Sequence, residues 1–196
     1  MAEKADNILA DDCKNELPVF KTSVRSLVSF SIKDDALWSF SSYRLAYEGT
    51  KAHSLLQAKN REDENYSSEV YLTHSFETAD CILEVSGRAD GIWRYNDRVI
   101  IQEIKTSAIP LSEIGENFSD AHWAQAKCYA YILALSEDLD KVTVRLTYYE
   151  SSRDEEKSFD RVFTREKLRR FFRTLLHPYI NWCLSQKNGR TQETYQ

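Results

Sequence analysis

Asp90, Glu103 and Lys105 lie in two adjoining stretches, Gly87-Arg88-Ala89-Asp90-Gly91-Ile92-Trp93 and Val99-Ile100-Ile101-Gln102-Glu103-Ile104-Lys105. The second reads as a strand. Side chains alternate along it, so Glu103 and Lys105 share one face while Ile100, Gln102 and Ile104 take the other. With Asp90 on or beside the preceding strand of a hairpin, its carboxylate reaches the face of Glu103 and Lys105. Two acids and one ammonium then gather among aliphatic neighbours. Hard carboxylate oxygens suit Mg²⁺, which keeps waters and substrate oxygens for its remaining positions. A cation held that way lowers the pKa of its water and neutralises charge on a phosphodiester under attack. Lys105 would orient the water and offset the developing charge. Alone, the pattern is weak, because Glu-x-Lys on a strand is equally a surface ion pair worth about 0–1 kcal/mol.

Further groups have types that fit such a site. His53 follows Gly49 by four residues on a predicted helix, and an imidazole ligand makes Mn²⁺ an alternative to Mg²⁺. His122, Gln125 and Tyr129 recur at helical spacing after the Glu-x-Lys strand, a row of imidazole, amide and phenol able to bond phosphate or support the lysine. Glu69, on an earlier strand, is a further acid, read as a surface residue. Arg165, Arg169 and Arg173 stand at i, i+4 and i+8 with Arg170 beside them. Such a stripe could follow a phosphate backbone through salt-sensitive contacts, or be a solvated helix face.

The elements that must position these groups follow from periodicity. Ser23 to Ile32 and Tyr43 to Lys59 are expected helices, the second with Leu45, Gly49, Ala52 and Leu56 on one face. Strands are expected at Glu69–Thr73, Cys81–Ala89, Gly91–Arg94 and Val99–Lys105, with a tight turn at Tyr95-Asn96-Asp97-Arg98. A helix capped by Ser119 or Asp120 turns Trp123, Ala126, Ala130 and Leu133 to the sheet. Lys141–Glu150 and Lys157–Phe163 are expected strands. A long helix from Thr164 closes the chain, apolar at Leu168, Phe172, Leu175, Tyr179 and Trp182, with Pro178 placed to kink it. The sum is one α/β domain, a central mixed sheet flanked by helices, with 1–16 and 186–196 expected to be flexible.

Composition bounds the alternatives. The chain has 196 residues, 42% hydrophobic and 12% aromatic, with 5 Gly and 3 Pro, which excludes collagen-like, low-complexity and disordered classes. The apolar run Cys128–Leu135 is too short to span a bilayer. The N-terminus is polar and acidic, with no visible signal peptide, so a soluble, cytoplasmic protein is expected. Cys13, Cys81, Cys128 and Cys183 lack the spacing of a zinc site and read as reduced thiols. A net charge of −5 argues against coating nucleic acid by bulk charge but not against a local site.

Taken in order, Gly49-x-x-x-His53, Gly87-x-x-Asp90, Glu103-x-Lys105 and Gln125-x-x-x-Tyr129 resemble the motifs of the PD-(D/E)xK nuclease superfamily. The resemblance is closest to its RecB-like branch, which includes the CRISPR-adaptation exonucleases. Ser23-Val24-Arg25, Glu48 to His53 and His122 to Lys127 look like the nuclease domain at the N-terminus of some bacterial DinG/XPD-type helicases. The resemblance implies a restriction-endonuclease-like fold and a Mg²⁺- or Mn²⁺-dependent DNA nuclease of repair or recombination. By position it implicates Asp90, Glu103, His53 and the Ile104 backbone carbonyl as metal ligands. Lys105 would serve the attacking water, and Gln125 and Tyr129 would contribute to the site or the DNA contact. It also implies DNA as partner, with a helicase fused or bound. Many relatives carry an iron–sulfur cluster on four cysteines, three of them near the C-terminus. Here only Cys183 follows the core, so no cluster is expected. The alternative is a nuclease-fold module that binds nucleic acid or a partner protein with little catalysis.

Overall fold

The computed structural model describes residues 17–32 and 43–193, so the expectation for 1–16 lies outside the described residues. The first element of the described residues is a short strand that the periodicity does not announce, β1 (Val19–Ser23). Helix α1 (Val24–Ser31) follows at once, its N-cap Ser23 accepting from the Ser26 N–H. Helix α2 (Tyr43–Asn60) matches its expected span. Then come β2 (Tyr66–Glu77), β3 (Ile82–Arg94) and β4 (Val99–Ser107). A single 3₁₀ turn at Leu111–Glu113 leads to α3 (Asp120–Ser136), capped by Ser119, whose hydroxyl accepts from the His122 N–H. Strands β5 (Lys141–Glu150) and β6 (Glu155–Thr164) and helix α4 (Arg165–Glu193) complete the fold.

The sheet is mixed, ordered β1-β3-β4-β5-β6 with β2 also on β3. β1 and β3 run parallel, as do β4 and β5, and the remaining pairs are antiparallel. Because β2 runs along one edge of β3, the other edge is shared: β1 takes Ile82–Ser86 and β4 takes Gly91–Arg94. The main core lies between this sheet and α1, α3 and α4, with Leu27, Trp123, Ile132 and Phe172 among its buried side chains. On the opposite face α2 covers the sheet through Ala52 and Leu56 on Ile104 and Tyr149. The expected architecture is the observed one: a central mixed sheet flanked by helices.

Three expectations are corrected. Cys81–Ala89 and Gly91–Arg94 are one strand, β3 (Ile82–Arg94), not two, because β2 pairs with it on both sides of Asp90. Strand β2 has 12 residues, well beyond Glu69–Thr73. Helix α4 runs as far as Glu193 and continues through Pro178 without interruption. Trp182 does not join the buried side of α4; it is 45% exposed beside Phe30 and Tyr179. Leu45 and Gly49 belong to α2, but their surroundings lie outside the described residues. No helix among the described residues is long and apolar enough to cross a membrane.

Candidate active site

The site forms where β3 and β4 part. The two strands pair from Arg94↔Val99 to Gly91↔Gln102, and the next opposed residues, Asp90 and Glu103, are not in the ladder. Instead, the Ile104 N–H donates to Asp90 Oδ2 at 2.6 Å. In an extended strand the N–H and C=O of one residue point to the same edge. The Ile104 carbonyl therefore also points to the edge that Asp90 occupies.

The β2–β3 pair is disturbed at the same level. Ser68↔Gly91 and Val70↔Ala89 are paired, whereas Glu69 and Asp90 between them are not. Glu69 has φ 54°, the left-handed region that a non-glycine residue adopts at a cost of about 1–3 kcal/mol. Strand alternation breaks here as well. Ala89 and Ile92 both belong to the main core, while Trp93 packs with Tyr66 and Ile100 in a separate cluster. The pair thus turns over at Glu69/Asp90, and the strained backbone delivers both carboxylates to one place. The Asp90 carbonyl, out of the ladder, accepts from Gln57 Nε2 at 3.0 Å, and the same amide donates to Glu69 Oε1 at 2.7 Å.

His53 and Gln57 are one turn apart on α2 and address the same spot. His53 Nδ1 lies 3.3 Å from Asp90 Oδ1. Ligand atoms of His53, Glu69 and Asp90 all lie within 4.8 Å of one another. Burial depresses the His53 pKa, but the hydrogen bond and charge of Asp90, aided by Glu103, outweigh it and leave it above the free imidazole value.

Across the gap, Glu103 and Lys105 project from β4 toward α3, as alternation requires. Lys105 Nζ donates to Glu103 Oε1 at 2.7 Å and to Gln125 Oε1 at 3.1 Å. Glu103 is 2% exposed, and its second oxygen is buried with no hydrogen-bond partner among the described residues. Burial drives its carboxyl up to about 7, against the opposing charge of Lys105 and with the support of Asp90. Tyr129 packs against Gly87 so closely that a Cβ there would lie 2.6 Å from the phenol oxygen. Burial raises the phenol's pKa, which keeps it a neutral hydroxyl. His122 is one turn from Gln125 but bonds Tyr148 Oη through Nδ1 at 2.9 Å.

The structure therefore gathers His53, Asp90, Glu103, Lys105, Gln125 and Tyr129 around one strand divergence. It also brings in Glu69, which is exposed as a surface residue and yet reaches the cluster, and Gln57, whose i+4 spacing from His53 was the available signal. Asp90 is less open than a solvent-facing ligand at a cleft, with 12% of its side chain exposed. The arginine stripe is not part of this gathering. Arg165 holds Asp138 and Asp140, and Arg169 and Arg170 both hold Glu166. Arg165 also anchors at Asp140, beside the start of β5, whereas Lys105 lies opposite Tyr148. Seven strand residues separate those levels, about 23 Å.

The residues fit a divalent cation. Three oxygen- and nitrogen-bearing side chains converge on one point, and a buried carboxylate oxygen of Glu103 has no hydrogen-bond partner among the described residues. Mixed carboxylate and imidazole donors suit Mg²⁺ or Mn²⁺.

The fold has relatives among solved structures. The crystal structure of SSO0001 is similar, at 21% identity and a TM-score of 0.53, over 80% of this chain and 75% of that one. An alkaline exonuclease (LHK-Exo) from Laribacter hongkongensis is also similar, at 11% identity and a TM-score of 0.47, over 87% of this chain and 94% of that one. No family model matches the chain, and no curated protein matches it by sequence. What fold and cluster together define is a mixed α/β domain with acids, a histidine and a lysine converging where two central strands diverge.

Proposed function

We propose that the chain is a divalent-metal-dependent deoxyribonuclease that hydrolyses phosphodiester bonds at this cluster. The carrying observation is the lysine: a Lys105 ammonium fixed between Glu103 and Gln125, facing a carboxylate–imidazole trio across a gap between strands. His53, Asp90, Glu103 and the Ile104 carbonyl would hold Mg²⁺ or Mn²⁺, with Glu69 as an added acidic ligand. When bound, the cation supplies an activated water and charge neutralisation at the scissile phosphate.

The chain's own residues do the rest. Lys105 has three N–H donors, two of them engaged, so the third is left to hold the attacking water or a phosphate oxygen. Gln125 fixes the ammonium's direction, since a flexible lysine stem otherwise wanders. Asp90 is locked by the Ile104 N–H, which keeps its other oxygen turned toward His53. Gln57 ties Glu69 to the Asp90 backbone, so the strained turn cannot relax without breaking two hydrogen bonds. Tyr129 closes the floor over Gly87.

The resemblance to RecB-like nucleases supports a narrower reading: an exonuclease favouring single-stranded DNA in repair or recombination, with a helicase as fused or bound partner. End-labelled single- and double-stranded DNA, incubated with Mg²⁺, Mn²⁺ or EDTA, tests both levels. The expected result is cleavage in either metal and none in EDTA, with label release showing attack from an end. DNA binding without cleavage in any metal would contradict the nuclease reading and leave a binding module.

A further inference from the structure

Beside the cluster, the described residues of α2 reach β3 only at the level of Asp90 and bury their apolar side chains on β4 and β5, so that among the described residues no helix is seated on the outer face around Tyr71 and Arg88. Leu72, Val85 and Ala89 point to the core, so the alternate residues Tyr71, Ser86 and Arg88 point outward. Tyr71 and Arg88 are directly opposed there, Tyr71 on β2 and Arg88 on β3. Tyr71 is 59% exposed, more than any other aromatic side chain whose burial is described. Its neighbours along β2 on that face, Thr73 and Ser75, are polar and exposed.

Arg88 differs from most arginines of the fold in its charge balance. Arg94 pairs with Glu137, Arg145 with Asp160, Arg161 with Glu116 and Arg165 with Asp138 and Asp140. The other cation near Tyr71, Lys21, is held by Glu84 at 2.7 Å. Arg88 is exposed and has no acidic partner among the described residues. An uncompensated guanidinium beside an isolated exposed phenol offers a fork for phosphate and a ring for a base.

Their position gives this meaning. Tyr71 is two residues from Glu69, and Arg88 two residues from Asp90. Two strand residues span about 7 Å, comparable to two nucleotides rising about 3.4 Å each. Resting on the nuclease reading above, we infer that Tyr71 and Arg88 hold an unpaired nucleotide within about two nucleotides of the scissile phosphate: its base stacks on Tyr71 and its phosphate meets Arg88. A duplex has no free base face to offer the ring, so this contact selects single strands and frayed ends.

The test uses the full chain in EDTA and a single-stranded deoxyoligonucleotide of about ten nucleotides carrying 2-aminopurine, a length within the usual single-strand site range. Stacking on Tyr71 should quench the probe. Tyr71→Ala should lose the quench and about tenfold in affinity, and Tyr71→Phe should keep both. Arg88→Gln should flatten the slope of log affinity against log salt by about 0.7, one single-strand phosphate. Thermal melting should be unchanged in all three. Wild-type affinity and quench in Tyr71→Ala, or an unchanged salt slope in Arg88→Gln, would overturn the inference. The nuclease reading is judged apart, by metal-dependent cleavage in the wild-type chain. Cleavage together with undiminished binding by Tyr71→Ala sinks the nucleotide contact alone. Binding that Tyr71→Ala loses, without wild-type cleavage in any metal, upholds the contact and sinks the nuclease.

Discussion

Glu103 shows how the site stores its need for a cation. One oxygen meets Lys105, the other has no partner, and burial lifts the carboxyl from 4.5 to about 7. Between those values the folded chain binds a proton that the unfolded chain does not, so stability falls as pH rises through that window. His53 acts in the same sense: its raised pKa gives stability that is present at low pH and lost as pH rises through the folded value. In EDTA the melting temperature should therefore fall from about pH 5 to about pH 8, and Glu103→Gln should remove part of that fall. A slope unaltered by Glu103→Gln would deny the carboxyl this role. The same protons must leave before a cation binds. Mn²⁺ affinity measured by calorimetry should accordingly rise over that range with net proton release, and a pH-independent affinity would contradict the ligand set. At this scale the sequence was legible where chemistry repeats a spacing. Asp90, Glu103, Lys105, His53 and Gln125 were all nameable from their motifs. Glu69 was nameable only as a further acid on a surface strand, because its approach to Asp90 depends on a positive φ inside a strand, which no residue type at that position signals.

Among the elements, the placement of α3 over β3 matters most, and it turns on a missing side chain. Tyr129 lies against Gly87, and a Cβ there would come within 2.6 Å of the phenol oxygen and 2.9 Å of a ring carbon. Gly87→Ala should push the helix off the strand and cost about 1–3 kcal/mol in urea unfolding. Wild-type stability would show that the contact yields freely. The Ser119 cap on the same helix should be worth about 1 kcal/mol, read as the loss in Ser119→Ala. The long alternating strands and amphipathic helices were readable because one face of each is buried. β1 escaped notice because five residues with one buried position carry no period. The division of β3 was misread for a related reason. Its alternation slips at Asp90, which looks like a strand end when only the sequence is seen.

For the molecule as a whole, several surface arginines are already matched to acids of the same chain. The net charge is −5, and the arginines at the start of α4 are held by Asp138, Asp140 and Glu166. Glu166 is held down to about 2 by its bonds to Arg169 and Arg170. Charges already paired release few counterions from DNA. Arg165→Gln and Arg169→Gln should therefore leave the salt slope of DNA binding unchanged, and a reduced slope would restore the stripe as a DNA face. The α/β class and the mixed sheet were legible from the order of elements, whereas the sharing of the β3 edge by β1 and β4 depends on pairings between distant segments. The central claim concerns one cluster, and one comparison tests it most directly. Asp90→Asn keeps an oxygen to accept the Ile104 N–H but removes the carboxylate charge, so its melting temperature can be matched to wild type. Cleavage of single-stranded DNA in Mn²⁺ by the wild-type chain, lost in Asp90→Asn at equal folded fraction, is the predicted result. Equal cleavage by the two would contradict the account.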